Sequence, residues 1–362
     1  MSVLSRAVVT TGADDLLALT EALVATPSVS LKEAMLASSV EARLRQSAPH
    51  LVVTRTGSNV VARSDHGRAR RVILAGHLDT VPPKGNETPR REGDVLWGLG
   101  TADMKGGLAV MLRLAEELAE AATHDVTLVF YAAEEIADEH NGLRALFADD
   151  PDLVAGDLAI CLEPTDGWLE AGCQATVHVR GVVNGAAAHT ARPWMGRNAV
   201  HGLAPILARI AAYEAPVVEV DGLGYQESLQ VVGIDGGQAR NVVPDRASVL
   251  VNHRCAPSRS LDDAIAETRA LLAGADEIIV EGASPAAPPN LGHPLIAQLV
   301  GDLGLPVRPK LGWTDVARFS AHGIPALNYG PGDAELAHTA DEVVTGASLV
   351  RCHDTLRRLL WA

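Results

Sequence analysis

The stretch VILAGHLDTVP, Val72 to Pro82, runs through four apolar residues and then sets His77 and Asp79 two positions apart. The apolar run predicts a buried strand, and the two ionisable groups fall where that strand should end. Residues i and i+2 of a strand point the same way, so an aspartate at this spacing can accept a hydrogen bond from the imidazole. Such a bond fixes which ring nitrogen stays free, as it does for metal-binding histidines. A polar loop can carry the same pattern, so the pair alone decides nothing.

Four further segments repeat the theme. GLGTADMKGG puts Asp103 just ahead of a predicted helix, whose N-terminus favours a carboxylate. YAAEEIADE ends an apolar run with Glu134 and Glu135. Adjacent strand residues face opposite sides, so both acids serve one site only where the strand breaks. ICLEPTD ends a third run with Glu163, and AELAHTADE places His338 in a loop near the C-terminus. Several buried strands thus end in a potential ligand, and α/β sheets bind ligands at the carboxyl ends of their strands. Two histidines and three carboxylates form an N/O donor set that suits two zinc ions with one carboxylate bridging. One acid is left as a general base on water. In this reading His77 is a ligand and Asp79 orients it.

The elements that must position these residues alternate in kind. VILAGH, VTLVFYAAE and DLAICLE are short and continuously apolar, as strands buried on both faces are. Between the first two lies GGLAVMLRLAEELAEA, Gly106 to Ala121, with apolar residues at helical spacing. This predicts an α/β layer structure, helices packed on a largely parallel sheet. Near Cys173 the texture changes. TVHVRGVV, LQVVGI, ASVLVNHR and DEIIVEG read as strands, and GRNAVHGLAPILARIAAYE and SLDDAIAETRALLAG as helices. Their order is β-α-β-β-α-β, the ferredoxin-like pattern. ASPAAPPNLGHP then reads as a Pro-rich return linker. The expected organisation is one discontinuous domain, residues 1–173 and 286–362, interrupted by a smaller α+β domain at 174–285.

The chain has 362 residues, 47% of them hydrophobic, enough for a large core. No apolar run reaches the roughly 18–20 residues of a membrane helix. The first 30 residues read as an amphipathic helix rather than a signal peptide. A formal net charge of −15 disfavours nucleic acid and anionic membranes as partners. It leaves room for a small anionic substrate, provided that arginines gather locally. Cys161, Cys173, Cys255 and Cys352 form no CxxC pair, as expected of reduced thiols in the cytoplasm.

The ordered set GHLDTVP, GLGTADMKGGLAV, AAEE, LEPT, AAHTARPWMGRNAVH, RNVVPD, VNHR, GWTDVARFS and AHTADE resembles the dinuclear zinc aminoacylase and carboxypeptidase family of metallohydrolases. The resemblance runs over essentially the whole chain. It implies a zinc-hydrolase catalytic domain and an inserted ferredoxin-like dimerisation, or lid, domain. It implies two zinc ions per subunit, which cobalt could replace. His77, Asp103 and Glu163 would hold one ion, and Asp103, Glu135 and His338 the other. Glu134 would be the general base and Asp79 the orienting residue, with a cis peptide after Asp103. His189, in the inserted domain, would polarise the scissile carbonyl of the partner subunit's substrate in a homodimer. Asn241, Arg254 and Arg192 would contact substrate. Trp313 and Ala334 depart from the pattern, so their loops carry no assignment. The expected reaction is hydrolysis of N-succinyl-LL-2,6-diaminopimelate to succinate and LL-2,6-diaminopimelate. A deacetylase of N-acetylornithine type or a dipeptidase is the alternative. A catalytically dead relative would lack a ligand or the base, and here every such position is filled.

Overall fold

The computed structural model describes residues 12–118 and 122–361. Two compact units separate. One runs up to Glu170 and adds Leu291–Arg308 and the chain from His322 onward; the other comprises Ala171–Asn290 and Pro309–Ala321.

The first unit is built on an eight-stranded sheet. Its order is Val52–Thr56, Asn59–Arg63, Asp125–Tyr131, Arg71–His77, Leu158–Cys161, Ala326–Asn328, Leu169–Ala171, Val307–Pro309. The pairings among Asp125–Tyr131, Arg71–His77, Leu158–Cys161 and Ala326–Asn328 are parallel. Asp125–Tyr131 is buried along its whole length, and Arg71–His77 at every position but the first. That is why both read as continuous apolar runs rather than alternating ones. Helices Ala13–Val24, Gly106–Glu117 and Gly346–Trp361 pack with one another and bury their apolar stripes. The helix expected over 106–121 therefore holds to Glu117, and positions 119–121 lie outside the described residues. So do residues 1–11 of the expected N-terminal helix. The mostly parallel sheet flanked by helices is the expected architecture.

Two glycines bring the Gly106 helix close to the sheet. A Cβ on Gly76 would lie 2.7 Å from the Leu108 side chain, and one on Gly107 would lie 2.6 Å from the Leu162 carbonyl oxygen. The backbone oxygen at Gly107 cannot give way, so the helix start approaches the strand end there only with glycine, whereas at Gly76 the flexible Leu108 end would have to shift.

The second unit carries a four-stranded antiparallel sheet, in the order Ser228–Gly236, Arg246–Cys255, Ala175–Asn184, Glu277–Ser284. Numbered along the chain this is 2-3-1-4, the ferredoxin-like arrangement expected. Helices Ala199–Ala211 and Leu261–Leu271 cover one face, and Val177, Val179, Val249, Val251, Leu203 and Ile206 form its core. Asn198 and Ser260 cap the two helices through their side chains. One element departs from the sequence reading. Val217–Val220 and Leu223–Gln226 form an extra hairpin. Its turn is Asp221–Gly222, both at positive φ, as a type I′ turn requires.

Candidate metal centre

The parallel register brings three strand ends to one level. His77 pairs with Tyr131 and Ala75 with Cys161. Glu163 follows two residues after the end of the second pairing. Glu163 is buried, 6% exposed, just past its strand.

His77 is buried and its two ring nitrogens are differently engaged. Nδ1 lies 3.0 Å from the Asp79 carbonyl oxygen, and Nε2 lies 3.0 Å from Asp103 Oδ1. A carbonyl only accepts, so Nδ1 carries a hydrogen and Nε2 is the nitrogen presented to the site. The Asp79 carboxylate itself is 3.5 Å from Nδ1. Its oxygens accept from the Ser30 hydroxyl at 2.7 Å and from the backbone N–H groups of Glu134 and Glu135 at 3.0 and 3.1 Å. Asp79 thus orients His77 mainly through its backbone and grips both acids through its side chain.

That grip fixes the backbone of both acids, and Glu135 is carried into the site. The strand stops at Tyr131, and Ala133 turns the chain at φ 58°. Glu135 Oε1 then lies 2.8 Å from His338 Nε2. The same histidine nitrogen is 3.2 Å from Asp103 Oδ2. Asp103 therefore turns one oxygen to His77 and the other to His338. It sits in an irregular turn with a cis peptide to Met104, ahead of the Gly106 helix. His77, Asp103 and Glu135 each offer a ligand atom within 4.8 Å of the others, a group able to hold a metal ion.

The electrostatics follow from this packing. Burial by itself would raise the Asp103 carboxyl, but hydrogen bonds from His338 and His77 hold it well below the usual carboxylate range. Burial would likewise lower His77, and its contacts with Asp103 and Asp79 lift it well above the usual histidine value instead. The bonds to Asp103 and Glu135 push His338 up to about 10.

The remaining candidates lie in the second unit. His189, Asn241 and Arg192 are together in exposed loops. Thr190 N–H donates to the Asn241 carbonyl at 3.0 Å, and Arg192 N–H to the His189 carbonyl at 2.7 Å. Ala191 N–H donates to His189 Nδ1 at 3.0 Å, which leaves Nε2 as the protonated nitrogen of the neutral ring. Arg254 is elsewhere. Its level on the sheet is Thr176, whereas the His189 loop leaves at Asn184, paired with Arg246. The strand from Arg246 to Arg254 separates these levels by about 26 Å. Arg254 lies beside Asn252, to which its Nε donates at 3.2 Å, and Asn252 in turn meets His178 at 2.6 Å.

Ser30 and Glu342 escaped the sequence reading. Ser30 holds Asp79, and Glu342 accepts from the backbone of the Asp103 turn. Ser30 carries no local signal, because its contact spans 49 positions. Glu342 stands inside AHTADE, yet its partners are backbone groups that no spacing rule reports.

Residues 73–362 match the model of peptidase family M20/M25/M40. A Mycobacterium tuberculosis relative, provisionally named succinyl-diaminopimelate desuccinylase DapE, is 49% identical over 347 residues, covering 96% of this chain and 98% of that one. The succinyl-diaminopimelate desuccinylase of Corynebacterium glutamicum is 45% identical over 336 residues, 91% of each chain. Among solved structures, a Staphylococcus aureus tripeptidase superposes with a TM-score of 0.80 at 20% identity, over 97% of this chain and 98% of that one. The Bacillus subtilis YXEP protein, described as a dinuclear metal binding peptidase, does so at 0.70 and 14%, over 96% and 97%.

Proposed function

The chain belongs to peptidase family M20/M25/M40, and on that premise we propose that it is a metal-dependent amide hydrolase converting N-succinyl-LL-2,6-diaminopimelate and water to succinate and LL-2,6-diaminopimelate. The reaction belongs to diaminopimelate and lysine biosynthesis. The observation that carries the reading is Asp103, with one oxygen toward His77, the other toward His338, and Glu135 on the same His338 nitrogen.

This donor set fits two zinc ions, or cobalt in their place. His77, Asp103 and Glu163 would hold one ion, and Asp103, Glu135 and His338 the other. Bound there, the ions would polarise the amide carbonyl and make water acidic enough to act at neutral pH. Glu134 is the general base: it takes the proton of the attacking water and hands it to the leaving amine. Asp79 fixes the backbone of Glu134 and Glu135, so base and ligand keep a constant separation. His189 donates its Nε2–H to the carbonyl oxygen as charge develops there.

The substrate has three carboxylates, and Arg254 suits one of them. It is half-buried in a chain of net charge −15, and among the described residues it forms no salt bridge. A guanidinium so placed favours a bidentate carboxylate partner. Arg192 and Asn241 serve the substrate from the His189 loop.

The active form is a homodimer in which His189 acts on the partner's substrate. The wide separation of Arg254 and His189 on one sheet supports this. So does the edge strand Ser228–Gly236, where Val232 and Ile234 are 56% and 54% exposed. An apolar open edge beside helix Ala199–Ala211 is a pairing surface for a two-fold axis. We place the enzyme in the cytoplasm: its four cysteines are free and buried, and among the described residues no helix is long and apolar enough to cross a membrane.

A substrate panel tests the reading. Zinc-loaded protein should show kcat/KM for N-succinyl-LL-2,6-diaminopimelate at least about a hundredfold above those for N-acetylornithine and simple dipeptides. Preference for either alternative would overturn the substrate and leave the family and the hydrolase chemistry standing.

A further inference from the structure

Glu342 is a buried acid, 1% exposed, that the mechanism does not use. Its carboxylate is spent entirely on one turn. Oε2 accepts the Gly100 N–H at 2.9 Å, and Oε1 accepts the N–H groups of Ala102 and Asp103, both at 3.0 Å. Three backbone N–H groups converging on one point form a nest for an anion. Here the occupant is a side chain of the same protein.

The surroundings hold Glu342 as firmly as it holds the turn. Its own carbonyl accepts the Gly98 N–H at 3.1 Å. The next residues, Val343–Thr345, pair with Val95–Trp97, the strand that leads into the turn. Gly100 takes φ 81°, and a Cβ there would lie 2.8 Å from Thr80, so the turn has one tight path. Four positions upstream of Glu342 is His338, whose loop is braced by Lys84 Nζ on the His338 carbonyl and Asn86 Nδ2 on the Thr339 carbonyl. Glu342 therefore stands between the turn that presents Asp103 and the loop that presents His338.

We propose that Glu342 is a positioning residue that sets the spacing of Asp103 and His338 by occupying the backbone nest of the Gly100–Asp103 turn. It touches neither metal nor substrate; it acts through the backbone of one ligand and the chain position of the other. Burial and the nearby Asp103 push the Glu342 carboxyl up to about 7 while the three N–H groups pull it down, so its two acceptor oxygens and its length both matter. A glutamine oxygen can still accept from Ala102 and Asp103, but its amide would turn N–H groups against the Gly100 N–H. An aspartate keeps both oxygens and draws them back by one methylene.

The inference rests on reading Asp103 and His338 as metal ligands, and the test separates the two ideas. Cobalt is titrated into metal-free wild type, Glu342→Gln and Asp125→Asn, with affinity and the visible spectrum read directly. Asp125 is the control. It too is a buried acid accepting backbone N–H groups, those of His66 and Arg68 at 2.8 and 2.9 Å, but it supports a loop outside the ligand set. Glu342→Gln should fold, bind cobalt roughly 10–100-fold more weakly and shift the spectrum, as loss of an outer support does. Asp125→Asn should lower Tm and leave cobalt affinity unchanged. In the zinc enzyme, Glu342→Gln should lower kcat with little change in KM, and Glu342→Asp should recover part of the affinity. Wild-type affinity and spectrum in Glu342→Gln would overturn the proposal. So would a loss that Asp125→Asn reproduces at equal Tm, or failure of both Glu342 variants to fold, which would assign the residue to the fold alone. No cobalt binding by the wild type would instead overturn the ligand reading.

Discussion

The centre in the first unit and the His189 loop in the second solve different problems with similar residues. At the centre several polar groups are held from behind: His77 by a carbonyl, Glu134 and Glu135 by Asp79 through their backbone, Asp79 by Ser30. The contacts among His77, Asp103, Glu135 and His338 fall between 2.8 and 3.2 Å. In the second unit His189, Arg192 and Asn241 are exposed, and Arg254 sits at the other end of the same sheet. Its unit also supplies no metal-ligand group among the described residues. A site that must bind metal is prebuilt, because misplaced ligands cost affinity directly. Residues proposed to meet a substrate can instead stand on exposed loops. The comparison teaches that substitutions in the two regions should fail in different ways.

The largest of these differences is expected at Glu134. If Glu134 is the base proposed above and not a ligand, Glu134→Ala should lose about 10²–10⁴-fold in kcat while the protein keeps its metal. Metal analysis after gel filtration, beside steady-state kinetics, checks this. Loss of bound metal in the variant would move Glu134 into the ligand set.

A smaller effect, and of the other kind, is expected at Arg254. Arg254→Ala should raise KM for the succinylated substrate by roughly 10–100-fold, the usual worth of a hydrogen bond to a charged group. Bound metal should not change. A loss confined to kcat would contradict a role in substrate binding.

The smallest effect concerns protons. Because contacts with Asp103 and Glu135 push His338 up to about 10, it carries a proton at neutral pH in the metal-free protein. A metal must displace that proton, so apparent affinity should strengthen as pH rises and level off near that value. Titration calorimetry in buffers of differing ionisation enthalpy should record release of at least about one proton per chain at pH 7. No buffer dependence would mean that His338 is already neutral.

His77 and Asp79 were readable because a continuous apolar strand ends in them, and the parallel sheet was readable from the same runs. Glu134 and Glu135 are readable as a pair, but not the Ala133 turn just before them, since alanine carries no signal for positive φ. The Asp79 carboxylate lies 3.5 Å from His77 Nδ1 and also accepts from the backbone 55 and 56 positions away, contacts that no local rule reaches. The same limit hid Ser30 and Glu342. The extra hairpin is different: alternation in VVEVDGLGYQ and its Asp-Gly turn are local signals present in the sequence. Residues 309–321 cluster with the second unit because Trp313 bonds to the Pro285 carbonyl and Lys310 to that of Ala171, partners far away in the chain.

If the two regions complete one another across a dimer, as proposed above, subunit mixing shows it most directly. Inactive His189→Ala chains are mixed with inactive Glu134→Ala chains under conditions of proven exchange. If His189 serves the partner's site, each mixed dimer holds one site with both defects and one intact site. Activity should then recover toward half of the wild-type value per mixed dimer. No recovery, with mixed dimers demonstrated, would contradict the account and return His189 to its own chain or to no role in the reaction.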